Sequence, residues 1–376
     1  MLRSGEIQMY FVAFYRLYYS MNKWIFIDCC FLASTISAQN TDSIPGDSSA
    51  MLQEILLSED KLINWAVGAS VSCLDSSLKE YAAYDLSHLL ASSTHIRIRN
   101  YGALSSSSIR GAGAAHTKVL WNGLALNSPM TGQYDLSLMP LFFIENIQVQ
   151  SGGLSSLLGD GAIGGSIHLN NKADFTPGNH LVIHKSIASF GQLNLGVKAQ
   201  INSNTTAFEL ALHQHTSTND FTYIDPYNPT KKIKQNHANQ YSRALQSSIS
   251  KKIGTSFRAD LIYFYQESER LIPATLFEAF STAKKEEVSH RVVLNSQFTR
   301  DAFKWKTQLS FNSDELIYQD SLKDIYAVHA SDQFGFKQEV AYKINPSNRI
   351  RLEHSILHQK IRSKSLIFCE KCNKTN

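Results

Sequence analysis

The sequence predicts a mainly β protein: a small α/β domain followed by an incomplete antiparallel transmembrane β-barrel. Three observations carry this. Charged residues are 18% of the 376, low against roughly 25% in ordinary soluble domains. From about residue 180 onward apolar and polar residues alternate with period two, as in strands with one polar and one apolar face. No apolar run is long enough for a spanning helix, which excludes a helical membrane bundle and leaves a membrane barrel open. Aromatic residues at 11%, with 16 Tyr and 20 Phe, exclude a disordered chain. Lys plus Arg is 36 and Asp plus Glu is 32, a net charge of +4. That balance excludes a chain built around nucleic-acid phosphates.

Residues 1–38 read as a signal peptide with an upstream extension. From Met21 the order is a basic Lys23, apolar Trp24–Leu32, then small residues to Ala38, the arrangement of a secretory leader cleaved near Ala38-Gln39. Arg16, Lys23 and Asp28 interrupt the stretch too often for a retained anchor. Residues 39–70 form an N-terminal extension, polar to Ala50 and then apolar at Met51–Leu57. The five cysteines, Cys29, Cys30, Cys73, Cys369 and Cys372, show no even spacing that would make a disulfide framework. Cys369 and Cys372 form a lone C-x-x-C, short of the four ligands of a structural zinc site.

Residues 71–174 are rich in Gly, Ser and Ala. A boundary falls near Phe175–Asn179, where Pro177-Gly178 supplies turn chemistry. Residues 180–376 then alternate. In Lys304–Asn312, Trp305, Thr307, Leu309 and Phe311 oppose Lys304, Lys306, Gln308 and Ser310. In Phe334–Ile344, Phe334, Phe336, Val340, Tyr342 and Ile344 oppose Gly335, Lys337, Glu339 and Lys343. Leu193–Ile201, Ala207–Thr216 and Arg349–His358 behave alike, at about 9–11 residues a bilayer-crossing length. Short turns near 202–205, 251–255, 300–303 and 345–348 alternate with polar connections near 217–239, 267–287 and 313–333. Short turns at one end and long loops at the other is the outer-membrane pattern; a soluble β-sandwich shows no such regularity.

Gly159-Asp160-Gly161-Ala162-Ile163-Gly164 matches G-x-G-x-x-G literally. A dinucleotide site needs a helix after it, whereas Gly165–Asn170 alternates like a strand, so the nucleotide reading fails. No H-E-x-x-H, G-x-S-x-G or Walker pattern occurs. His213 and His215 share a strand face and could bind a metal, but a lumen-facing polar pair is the commoner arrangement. Asp135 and Glu145 are ten apart and form no obvious acid/base pair. No enzyme, cofactor or metal is therefore expected.

The 71–174 segment resembles the plug of TonB-dependent outer-membrane receptors. The matching residues are Ser108-Ile109-Arg110-Gly111, His116 through Gly123, Leu126 through Pro129, Asp135 through Pro140, Ile144 through Val149, Gly152-Gly153 and Leu157 through Gly165. Trp121 departs from a common Asp, Leu158 from a common Tyr and Gln150 from a frequent Arg. The order Tyr101-Gly102, Ser108–Gly111, His116–Gly123, Ser128-Pro129 and Gln133–Ser137 looks most like cobalamin-receptor plugs.

The resemblance implies an uptake receptor in the Gram-negative outer membrane. Its partners would be membrane lipid, TonB with its inner-membrane energising complex, and a scarce large ligand. Cobalamin or another corrinoid is the expected ligand and a ferric siderophore the rival; a secreted β-rich adhesion or structural protein is the alternative from another class. Leu52, Gln53, Glu54, Ile55, Leu56 and Leu57 stand where this family carries its Ton box, which TonB pairs with as an added strand. An apolar patch packed on the plug explains them equally well.

Ser128, Pro129, Met130, Thr131 and Gln133 form an outer turn expected to approach ligand, since loops held by rigid elements carry recognition. Arg110, Gly111, Asn122, Gly123, Gly159, Gly161, Gly164 and Gly165 are expected to hold the plug. Asn122-Gly123 is the strongest short hairpin signal, and Arg110 is expected to bond plug carboxylates or wall groups. Nine alternating segments follow residue 180, whereas barrels that enclose a plug have about 22 strands. Ser363–Asn376 also loses the alternation. A fragment or frameshifted reading frame is expected on both grounds.

Overall fold

The computed structural model describes residues 70–74, 86–100, 104–153, 158–225, 227–275, 277–345 and 348–367. The leader, residues 51–58 and the C-x-x-C lie outside them. All described residues belong to one compact unit, 56–376.

The first domain contains β1 (Ser70–Leu74), α1 (Leu86–Ser93), β2 (Arg97–Asn100), β3 (Ser105–Ser108), β4 (Thr117–Trp121), β5 (Leu124–Ala125), β6 (Asn146–Ser151) and β7 (Gly165–Asn170). Five of its strands form a sheet in the order β1-β6-β7-β4-β5, with β4 and β7 parallel. Val119, Trp121, Ile147, Val149, Ile167 and Leu169 are buried, and the register puts them on one face. Leu86, Leu89 and Leu90 of α1 are buried in the same core, at the i, i+3, i+4 spacing of one helix face. β2 and β3 make a separate hairpin whose four serines are all buried.

β4 turns into β5 at Asn122 (φ 47°) and Gly123 (φ 86°). Two consecutive positive φ values are what a type I′ hairpin turn requires. Gly165 has φ 156°, and a Cβ there would stand 2.2 Å from the Gln150 carbonyl oxygen. The G-x-G-x-x-G therefore leads into strand β7, whose close approach to β6 only glycine permits.

The second domain is built on one nine-stranded antiparallel sheet. Its strands are β8 (Gly178–Ala188), β9 (Gln192–Asn202), β10 (Thr206–Ser217), β13 (Gln240–Ile253), β14 (Phe257–Leu271), β15 (Lys284–Arg300), β16 (Phe303–Asp320), β17 (Ile325–Lys343) and β18 (Arg349–Ile367). They lie in chain order, with β8 and β18 at the two ends. The connection from β10 to β13 carries a small hairpin, β11 (Thr222–Asp225) and β12 (Asn228–Lys234). Apolar residues on one face, among them Leu195, Phe208, Leu261, Trp305, Leu309, Phe311 and Phe334, are exposed. On the other, Gln246, Gln266, Arg291, Asn312 and Gln333 are buried. An apolar exterior and polar interior is the arrangement of an outer-membrane barrel wall.

Three expectations need correction. β16, β17 and β18 have 18, 19 and 19 residues, well beyond the expected length. The connection expected at 313–333 is only the turn 321–324, and that at 267–287 shortens to 272–283. β18 also continues through 363–367, where the alternation fades. The cause is common: a hydrogen-bond ladder uses backbone groups and continues through polar residues past the apolar band.

Candidate functional site

The first domain is seated on the polar face of the nine-stranded wall. Trp121, fully buried, lies 5.5 Å from Phe264 of β14, and Phe143 meets the same ring edge-on at 5.9 Å. Phe142 rests where β9 has a glycine: a Cβ on Gly196 would stand 3.0 Å from its ring. His184, Gly196 and His213 pair in one row across β8, β9 and β10. The two imidazoles flank Phe142 at 6.1 and 6.4 Å, and Lys198 Nζ lies 5.6 Å from its ring. A strand glycine often marks such a close approach.

Polar ties accompany the rings. Arg270 of β14 donates to Asp135 Oδ2 at 2.8 Å, both side chains being almost fully buried. Asp135 Oδ1 accepts from the Ser105 amide (3.0 Å), the Ser137 amide (3.1 Å) and Ser137 Oγ (2.6 Å). It thereby caps the 3-10 turn Leu136–Leu138. Gln266 donates to the Leu138 carbonyl, and Gln308 of β16 to the Asn122 carbonyl at 2.8 Å. Arg291 lies over the rings of Tyr134 and Phe264. Burial raises the Tyr134 phenol well above its ordinary pKa, against the opposing pull of Arg291.

Beside these contacts is a cavity of about 410 Å³, within the range of small-molecule sites. One side is residues 137–142 of the first domain; the other includes His184, Lys198, His213, His215, Tyr241 and Arg270 of the wall. His215 Nδ1 lies 2.6 Å from Asn194 Oδ1. Lys198 is paired with Glu145 and Glu209 at 3.6 and 3.7 Å. Among the described residues no three His, Cys, Asp or Glu side chains converge as a metal site. The cavity lies toward the wall end that carries 218–239 and 272–283, since Ser217, Gln240 and Arg270 line it.

The outer turn 128–133 sits at the opposite end of β4 from Asn122-Gly123. The Ser128 amide donates to the Gln133 carbonyl and Gly132 to Ser128, while Asn127 bridges Thr117 and Gly132. Met130 is exposed there, and Ser128, Pro129, Met130, Thr131 and Gln133 do not line the cavity. Arg110 is exposed in a turn at φ 51°, so the expectation that it bonds plug carboxylates or wall groups is corrected: Ser108 and Ala112 close that turn without it. Gly111, Gly159 and Gly161 have φ 79°, 80° and 76°, and a Cβ on Gly164 would stand 2.6 Å from Ala112 Cβ. Lys118 Nζ donates to the Leu158 and Asp160 carbonyls at 2.7 and 3.1 Å. Burial lowers its pKa, and Asp160 pulls it back up.

Leu52–Leu57 lie outside the described residues. Phe142, His184 and Arg270 had no individual sequence signal, because each acquires its role from a cross-strand neighbour or from the seated domain. The glycine inside the alternating Leu193–Ile201 was the one available hint.

A family model described as TonB-dependent Receptor Plug Domain matches residues 67–166. This chain carries a TonB-dependent receptor plug. Vitamin B12 transporter BtuB of Vibrio vulnificus (strain YJ016) is 38% identical over 107 residues, covering 26% of this chain and 18% of that protein. The pyoverdine outer-membrane receptor FpvA of Pseudomonas aeruginosa PAO1 superposes with a TM-score of 0.66 at 10% identity. It covers 80% of this chain and 48% of its own. The siderophore receptor PiuA of Acinetobacter baumannii gives 0.60 at 16% identity, covering 79% and 46%. These matches are to transporters and receptors rather than enzymes, and the structural ones share the fold of this chain. The chain spans under half the length of each of these relatives.

Proposed function

We propose that the chain acts as the ligand-capturing part of an outer-membrane uptake receptor whose ligand is cobalamin or a related corrinoid. The observation that carries this is the plug seated on the polar face of the wall, with a cavity between them at the long-loop end. In outer-membrane barrels the longer loops face outward, so the cavity meets ligand arriving from outside. The likeness to a vitamin B12 transporter over 107 residues supports the corrinoid. The fold-level likeness to siderophore receptors supports a ferric chelate as the second reading. Residues 1–38 would direct export, and 52–57 would pair with TonB in the periplasm, the pull being passed to the plug through β1.

Labelled cobalamin and ferric chelates offered to cells carrying the full chain separate the two ligand readings. Leu56→Pro is expected to block energised uptake and leave surface binding unchanged, because proline removes a strand donor. Uptake at the normal rate would show that 52–57 is not the Ton box. Charged, bulky replacements of Met130 and Thr131 test the outer turn: unchanged affinity assigns recognition to the cavity instead.

A further inference from the structure

We infer that the cavity takes a ligand bearing an oxyanion, carboxylate or phosphate, which replaces Asp135 on Arg270 and so releases one of the two ties that hold the Leu136–Leu138 turn to the wall. This rests on the receptor reading only for the side from which ligand arrives.

The cavity lining carries two cationic side chains and no carboxylate. The cations are Lys198 and Arg270, and three imidazoles, His184, His213 and His215, accompany them. The counter-charges stand behind it: Glu145 and Glu209 on Lys198, and Asp135 on Arg270. Arg270 is the strongest recognition element in the lining, since guanidinium forks match carboxylate and phosphate oxygens in pairs.

Exchange is feasible because neither partner is orphaned. Breaking a buried ion pair without replacement is strongly unfavourable, as it leaves an uncompensated charge. An incoming oxyanion takes the place of the Asp135 carboxylate on Arg270. Asp135 keeps its three other donors, the Ser105 amide, the Ser137 amide and Ser137 Oγ. What is lost is one of the bonds joining plug to wall, the Arg270–Asp135 pair. The same turn forms one side of the cavity and is tied to the wall by Asp135 and by the Leu138 carbonyl on Gln266. Ligand capture removes the first tie and leaves the second.

The test titrates citrate and inorganic phosphate, at fixed ionic strength and with glucose as a neutral control, into the full chain in lipid vesicles. Wild type is compared with Arg270→Gln, Arg270→Lys and Asp135→Asn. Asp135→Asn removes the competitor, so oxyanion affinity is expected to rise about tenfold, while Arg270→Gln abolishes binding and Arg270→Lys retains it within a few fold. Binding of citrate alone assigns a carboxylate, binding of phosphate alone a phosphate group, and both support the exchange. Amide hydrogen exchange over residues 134–139 is expected to accelerate several-fold in wild type when citrate binds.

Binding of neither anion overturns the inference. So does equal affinity in all four proteins, or weakening in Asp135→Asn alongside Arg270→Gln, which a purely structural pair would give. Should Asp135→Asn not fold, unchanged wild-type exchange over 134–139 overturns it equally. Failure here leaves the Leu56→Pro uptake test untouched, so the two readings fail separately.

Discussion

The plug sheet and the wall sheet obey the same period-two rule with opposite outcomes. In the plug, Val119, Trp121, Ile147, Val149, Ile167 and Leu169 are gathered into a buried core. In the wall, Leu195, Leu261, Leu309, Phe311 and Phe334 point outward and stay exposed, while Arg291, Asn312 and Gln333 are buried. Alternation fixes which residues share a face; the medium on each side decides which face is apolar. Where the two sheets meet, the wall's polar face accommodates aromatic rings at chosen places, Phe142 on Gly196 and Trp121 on Phe264.

The largest expected effect breaks the plug's side of this comparison. Trp121→Ala removes a fully buried ring and is expected to cost about 3–5 kcal/mol in plug stability, read by denaturant unfolding. A loss under about 1 kcal/mol would mean that the plug core does not depend on the wall-facing aromatic cluster, below even small core truncations. Next, Phe311→Arg on the outward face is expected to cost about 2–4 kcal/mol of stability in bilayers if the site lies near the midplane. The same change in a surface-exposed soluble sheet would be close to neutral, so a negligible effect would count against lipid on that side.

Gly196→Val tests the meeting of the two sheets. Its side chain would enter the space of the Phe142 ring, with an expected cost of about 1–3 kcal/mol from overpacking. Faster exchange is expected at residues 140–144, with the β8–β9–β10 ladder unchanged.

The smallest effect lies outside both sheets. Glu278 accepts from Lys323 and from Thr275, tying the 272–283 loop to the 321–324 turn. Lys323 first, then Thr275, holds its carboxyl down from 4.5 to about 2. Because the folded value is depressed, the tie contributes fully above about pH 4.5 and is lost as pH falls toward about 2. Lys323→Ala is expected to return the Glu278 midpoint toward the ordinary range, followed by NMR. An unmoved midpoint would show that Thr275 alone sets it.

How much of this was legible follows from the range of each interaction. The nine wall strands, the Asn122-Gly123 turn and the strand after Gly164 are local patterns, and the sequence displays them. Strand ends at Asp320, Ile325 and Ile367 were not legible, because ladder bonds continue through polar residues that carry no alternation. The cavity was only half legible. His213 and His215 stood out by spacing, but Arg270 and Asp135 are 135 residues apart. Nothing local marks a pair that exists only once the plug is seated. Arg110 misled for the reciprocal reason: bonds to plug carboxylates or wall groups were expected, and the backbone turns it outward.

The central claim is that the wall carries lipid on one face and the plug on the other. Spin labels at the adjacent positions Leu309 and Gln308, in the full chain in lipid vesicles, test it directly. Leu309 points outward and Gln308 reaches the Asn122 carbonyl of the plug. The expected result is a Leu309 label that collides freely with lipid-dissolved oxygen and a Gln308 label that is shielded and immobilised. Equal oxygen access at both positions, or the reverse order, would contradict the account.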